Sequence, residues 1–127
     1  MTERPLSPHL QVYKPQLTSV LSIMHRATGA ALYFAALALI YWVYTVATGH
    51  EHYHVIANVL DHWVGKVVLY GVLFCVYYHL ANGLRHLMWD TGKGLDLKTA
   101  YTTGWLVVAF SLVATGLTVF LLMGGGS

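Results

Sequence analysis

Charge is what this chain has least of. Only 9% of its 127 residues are Asp, Glu, Lys or Arg, while 57% are hydrophobic. Soluble domains average about 25% charged residues, so an ordinary soluble domain is excluded and an integral membrane protein is implied. Seven Lys and Arg and a formal net charge of +2 give no basic field for nucleic acid, and no nucleic-acid partner is expected. The single cysteine, Cys75, lies in an apolar run, which excludes a disulfide framework within the chain. There is no internal repeat, Gly-rich phosphate loop, paired-carboxylate site or nucleophile triad. Nothing here transforms a soluble substrate unaided. The first eight residues are polar and proline-broken, unlike a secretory signal, and lack the Arg/Ser-rich amphipathic character of a transit peptide. A mature bacterial N-terminus is the expectation.

What the chain does have is three long apolar runs. Residues 27–48 and 100–123 carry no formal charge, and residues 67–84 carry none except an ionisable histidine, His79. About 20 apolar residues cross a ~30 Å hydrocarbon core as a helix, and each run qualifies, the middle one with its flanks. The fold class expected is therefore all-α: one domain over residues 1–127, with transmembrane helices at about 18–48, 64–89 and 100–123. Prolines make residues 7–15 extended or turn-like ahead of the first helix. Arg4, Lys14 and Arg26 lie on the N-terminal side, and Arg85, Lys93 and Lys98 around the second connection. The first connection holds Glu51 and Asp61 without Lys or Arg. The positive-inside rule places the N-terminus and second connection in the cytoplasm, with Lys66 snorkelling from the outer end of the middle helix. Trp42, Trp63, Trp89 and Trp105 fall near the expected interfaces.

An imidazole within an apolar helix is costly unless something binds it. His79, Gly83 and His86 are four and three residues apart, which sets them on one helix face. His79 is six residues from Arg85, roughly 9 Å of helix, so it lies in the cytoplasmic half of the membrane. Imidazole, glycine and, beyond them, Arg85 and His86 suit a flat, acid-bearing group such as a haem; a histidine that only cross-links helices is the competing reading. Without a C-x-x-C-H, such a haem is held by coordination and packing alone. Low-spin electron-carrying haems take two strong axial ligands, and no second histidine lies at comparable depth here. The other ligand is then expected from another polypeptide.

A second cluster comprises Thr18, Ser22, His25, Arg26 and Gly29. Ser22 and Arg26, four apart, offer a hydroxyl and a permanent cation near the membrane surface. That pair suits a quinone carbonyl or a haem propionate; an arginine that merely snorkels to headgroups is the alternative. The third cluster, His50, His52, His54 and His62, shows no four-ligand geometry and reads as a solvated periplasmic loop rather than a metal site.

Three blocks carry a resemblance: Arg4-Pro-Leu-Ser-Pro-His-Leu10, Ser22-Ile-Met-His-Arg-Ala-Thr-Gly29 and His79-Leu-Ala-Asn-Gly-Leu-Arg-His86. In this order and spacing the chain resembles the cytochrome b556 family of membrane anchors of succinate dehydrogenase. The resemblance implies haem b with His79 as axial ligand to its iron. It implies propionate contacts at His25, Arg26 and His86, and a ubiquinone pocket lined by Ser22 and Arg26. It also implies partners: a second hydrophobic anchor subunit supplying the other ligand, an iron–sulfur subunit and a flavoprotein subunit. The setting it implies is the bacterial inner membrane. A fumarate reductase anchor and a haem-free structural anchor are the alternatives. The His-rich connection and Trp89 acquire no role from it.

Overall fold

Long uncharged runs without proline leave the backbone one way to satisfy its own polar groups in hydrocarbon, and the chain takes it. The computed structural model describes residues 17–49 and 51–125; the proline-bearing segment, His50 and the last two residues lie outside them. Four helices follow in order: α1 Leu17–Thr48, α2 His52–Asp61, α3 Trp63–Asp90 and α4 Leu97–Gly124. Among the described residues there is no strand. The protein is all-α, and α1, α3 and α4 are each long and apolar enough to cross a membrane. At 1.5 Å per residue, 32 residues in α1 and 28 in each of the others give about 42–48 Å, so their ends reach beyond a ~30 Å core.

The expected periplasmic loop is in part a helix. Val55, Ile56, Val59 and Leu60 recur at helical spacing within residues 52–61, and the histidines around them had hidden that period. His62 breaks α2 from α3 with an extended backbone, and its ring nitrogen Nδ1 accepts the Val64 N–H at 3.2 Å. It serves as a helix cap. His52 Nδ1 meets the Tyr41 hydroxyl at 2.6 Å. Gly65 is bare because any Cβ there would strike the Val59 carbonyl oxygen, so α2 folds tightly back on the start of α3. At the opposite end, Asp96 caps α4 by accepting from the Thr99 N–H at 3.1 Å and hydroxyl at 2.8 Å.

Helix α3 packs against both α1 and α4, which touch each other less. Between helices in lipid the hydrophobic effect gives little, and close packing and hydrogen bonds decide association. Leu21, Tyr78 and Val107 are the buried apolar centre, and Tyr78 donates its hydroxyl to the Leu21 carbonyl of α1 at 2.6 Å. Gly104 admits Leu21: a Cβ at 104 would lie 2.7 Å from Leu21 Cδ1. Tyr77 and Thr118 join α3 to α4 through their hydroxyls at 2.6 Å. Outside this centre the surface is apolar, with Tyr33, Phe34, Ile40, Trp105 and Phe120 all exposed. Such a surface is stable against hydrocarbon or another apolar helix, not against water.

Candidate functional site

Three imidazoles meet where α1 crosses α3. The rings of His25 and His79 are stacked, 4.0 Å apart with 5° between their planes, and His86 stacks on His25 at 5.1 Å. Gly29 allows the approach, since a Cβ there would lie 3.0 Å from His79 Cε1; one on Gly83 would make only an ordinary contact, 3.9 Å from His25 Cε1. The one-face spacing of His79, Gly83 and His86 on α3 thus lies against His25 and Gly29, themselves one turn apart on α1.

Thr28 sets the orientation of His79. Its hydroxyl gives its only proton to the His25 carbonyl at 3.0 Å, so it meets His79 Nδ1, 3.2 Å away, as an acceptor. His79 therefore carries its proton on Nδ1 and its lone pair on Nε2. That is the tautomer of a metal-binding imidazole, fixed by the hydrogen bond at the other nitrogen. His86 Nδ1 likewise donates to the Asn82 carbonyl at 2.8 Å. His25 differs, since its Nδ1 is buried and has no partner among the described residues. Among the described residues no group of three His, Cys, Asp or Glu could hold a metal ion.

Next to the histidines lies an open cavity of about 400 Å³, bordered by Ser19, Ser22, Arg26, Arg85, His86 and Trp89 among others. Ser22 and Arg26 share this border. Arg26 is exposed, and no hydrogen bond or ion pair engages it among the described residues.

Arg85 departs from the expectation that it reaches outward to meet charge. It is 4% exposed and turned into the bundle. It donates through Nε to the Thr103 hydroxyl at 3.1 Å, and through its two terminal nitrogens to the Ala100 carbonyl at 2.9 Å and Asn82 Oδ1 at 3.3 Å. The reason is rotational: Tyr78, Asn82 and Arg85 repeat the four-and-three spacing one residue out of phase with the histidines, and so face the core. Sequence reasoning also missed Thr28, Ser19 and Trp89. The only signal for Thr28 was its place three residues after His25, where a hydroxyl can bond back to that carbonyl.

With this geometry in hand, comparison with known proteins is specific. The family described as succinate dehydrogenase/fumarate reductase transmembrane subunit matches residues 1–118. The succinate dehydrogenase cytochrome b556 subunit of Rickettsia bellii (strain RML369-C) is 44% identical over 113 residues, covering 89% of this chain and 88% of that one. Its counterpart in Paracoccus denitrificans is 38% identical over 115 residues, 91% of this chain and 88% of that one. The mitochondrial succinate dehydrogenase cytochrome B subunit of Schizosaccharomyces pombe is 37% identical over 118 residues, 89% of this chain and 66% of that one.

Proposed function

The chain belongs to the family of succinate dehydrogenase/fumarate reductase transmembrane subunits, and from that premise we propose that it holds half of a haem b site and part of a quinone site in succinate dehydrogenase. In this reading His79 would hold the haem iron through Nε2. The other axial ligand comes from a second hydrophobic anchor subunit: His25 does reach the depth of His79, contrary to the sequence expectation, but it lies flat against that ring at 4.0 Å and so does not face it across a ligand. Arg26, with His25 and His86, meets the propionates. The haem, when bound, supplies one-electron redox capacity close to the quinone. Ser22 and Arg26 hold a ubiquinone carbonyl at the cavity beside the histidines.

The reaction divides among subunits. Succinate is oxidised to fumarate on a flavoprotein subunit, releasing two electrons and two protons. An iron–sulfur subunit passes the electrons to the membrane surface. The quinone takes two electrons and two protons and leaves as quinol. This chain anchors the assembly in the bacterial inner membrane with the helix ends that carry Arg26 and Arg85 toward the cytoplasm. The names of the relatives favour succinate oxidation over fumarate reduction as the working direction.

The observation that carries the reading is the contact of Thr28 with His79 Nδ1, from which the tautomer is assigned. A histidine that only cross-linked helices would use both nitrogens on protein, whereas here Thr28 takes Nδ1 and the described residues give Nε2 no hydrogen bond. Replacing His79 with Leu is expected to abolish the low-spin b-type reduced-minus-oxidised spectrum while the complex still assembles. A spectrum unchanged in that variant would place the ligand elsewhere and overturn the assignment.

A further inference from the structure

Trp89 borders the cavity beside Ser22 and Arg26, and its indole is fixed on three sides. The Arg85 guanidinium lies over its ring at 4.1 Å from the centroid. His86 packs against it edge-on at 5.0 Å. Its Nε1–H donates to the Gly94 carbonyl at 3.0 Å, tying it to the connection before α4. Arg85 is itself immobilised, since three of its N–H groups go to Thr103, Ala100 and Asn82. A buried guanidinium with no carboxylate beside it among the described residues costs desolvation, and here the hydrogen bonds and the indole face offset that cost.

We propose that Trp89, held in place by Arg85, is the aromatic wall of the quinone cavity and a specificity-determining residue for a planar ring. The inference rests on the quinone reading above and adds a residue to it. Ser22 and Arg26 address carbonyl oxygens at the edge of the ligand. They offer nothing that distinguishes a flat conjugated ring from any other carbonyl compound. An indole that cannot turn away supplies that discrimination, because a preset plane offers stacking area without ordering a side chain at the moment of binding. Arg85 is a positioning residue: it acts on the ligand through the indole.

The test uses the assembled complex and a short-chain ubiquinone analogue. Trp89→Leu is expected to raise KM for the quinone about two- to ten-fold, the range of an aromatic contact, with dye-linked succinate oxidation unchanged. Trp89→Phe keeps a plane and is expected to hold KM within about two-fold of wild type. Arg85→Lys keeps the charge but loses the fork, and is expected to raise KM in the same direction as Trp89→Leu. If Ser22→Ala raises KM and Trp89→Leu does not, the wall is refuted while the cavity stands. If neither moves KM, the quinone reading itself fails. Equal losses in the Phe and Leu variants would show that the indole matters only through its bond to Gly94, which also overturns the proposal. Should Trp89→Leu not assemble, photolabelling of the unmodified complex by an azido-ubiquinone decides. Label on Trp89 or its neighbours in α3 supports the wall, and label confined to other segments refutes it.

Discussion

Two faces of α3 run side by side, one residue out of phase, and are built on opposite principles. Tyr78, Asn82 and Arg85 face the bundle and are buried, and their side-chain polar atoms have partners, Asn82 Nδ2 excepted. His79, Gly83 and His86 face α1 and are half-buried; Gly29 of α1 gives His79 clearance, and the His25 imidazole that lies against them keeps a buried nitrogen without a partner among the described residues. Both faces are polar in an apolar setting. The first uses its polarity to hold three helices together, as lipid-embedded bundles must. The second leaves more open: the described residues give His25 Nδ1 no partner and His79 Nε2 no hydrogen bond. A polar group in a membrane helix thus indicates a ligand only when its own chain has not already satisfied it.

The sharpest break in that comparison comes at the cavity edge. Arg26→Leu removes a charged donor that the described part of the chain does not use for itself, and hydrogen bonds from charged groups are worth about 1.5–3 kcal/mol. Quinone-linked activity is expected to fall roughly ten- to a hundred-fold relative to dye-linked activity. Ser22→Ala, at about 0.5–1.5 kcal/mol, is expected to lower the same ratio several-fold. If both activities fell together, the residues would belong to assembly, and the open face would be a structural one after all.

A pair of glycine substitutions then separates the faces directly. At Gly104 a new methyl would sit 2.7 Å from Leu21 Cδ1 and 3.6 Å from an Arg85 terminal nitrogen. Gly104→Ala is therefore expected to cost about 1–3 kcal/mol of bundle stability, read as a lower melting temperature in detergent, with the haem spectrum of surviving complex unchanged. At Gly29 the methyl would lie 3.0 Å from His79 Cε1, so Gly29→Ala should shift the spectrum or the haem potential and alter stability less. Exchange of these two phenotypes would refute the division of the helix into a structural and a functional face.

How much of this was legible follows from what each residue's spacing can say. Three membrane helices were plain in the uncharged runs, and the His79, Gly83 and His86 face was plain because helical periodicity is independent of neighbours. The direction in which a face points is not. Arg85 was read, with His86, as meeting the charge of a flat acid-bearing group, yet Thr103 and the Ala100 carbonyl wait for it on α4, and only the packing of α3 on α4 brings them there. Thr28 was passed over because a threonine in an apolar run looks like filler. Its importance lies in a proton it has already given away to His25. Helix α2 was missed because alternating histidines suggested a loop, while Val55, Ile56, Val59 and Leu60 kept helical time beneath them.

On the structural face, Tyr78→Phe tests a single bond. It removes the hydroxyl that reaches the Leu21 carbonyl and preserves the ring packed on Phe74. The expected loss is about 0.5–1.5 kcal/mol, at the lower end because the carbonyl retains its helical partner. The haem spectrum and the quinone KM should not move. A spectral change would mean that the two faces are coupled through the α1–α3 contact, and the comparison would have to be redrawn.

The smallest effect expected lies beyond both faces, at the start of α4. Asp96 accepts from the Thr99 hydroxyl and the Thr99 N–H, and these bonds hold its carboxyl below the usual carboxylate range, the hydroxyl contributing most. A group whose folded pKa is depressed contributes stability that is fully present above its unfolded pKa, about 3.9 for aspartate. That contribution is lost as the pH falls through the folded value. The sign is therefore fixed: the cap helps at neutral pH and ceases to help in acid. Because Asp96 is fully exposed, solvent and salt screen the effect, and it is best read as a difference. Asp96→Asn keeps an acceptor oxygen and removes the titration. Melting of wild-type and variant complexes, compared from pH 7 down to pH 3, should show the wild type ahead at neutral pH by a margin that shrinks below about pH 4. The quinone-to-dye activity ratio at pH 7 should be the same in both, since neither face of α3 carries this carboxylate. A margin that stayed constant with pH would mean that Asp96 caps α4 by shape alone, and that its charge contributes nothing.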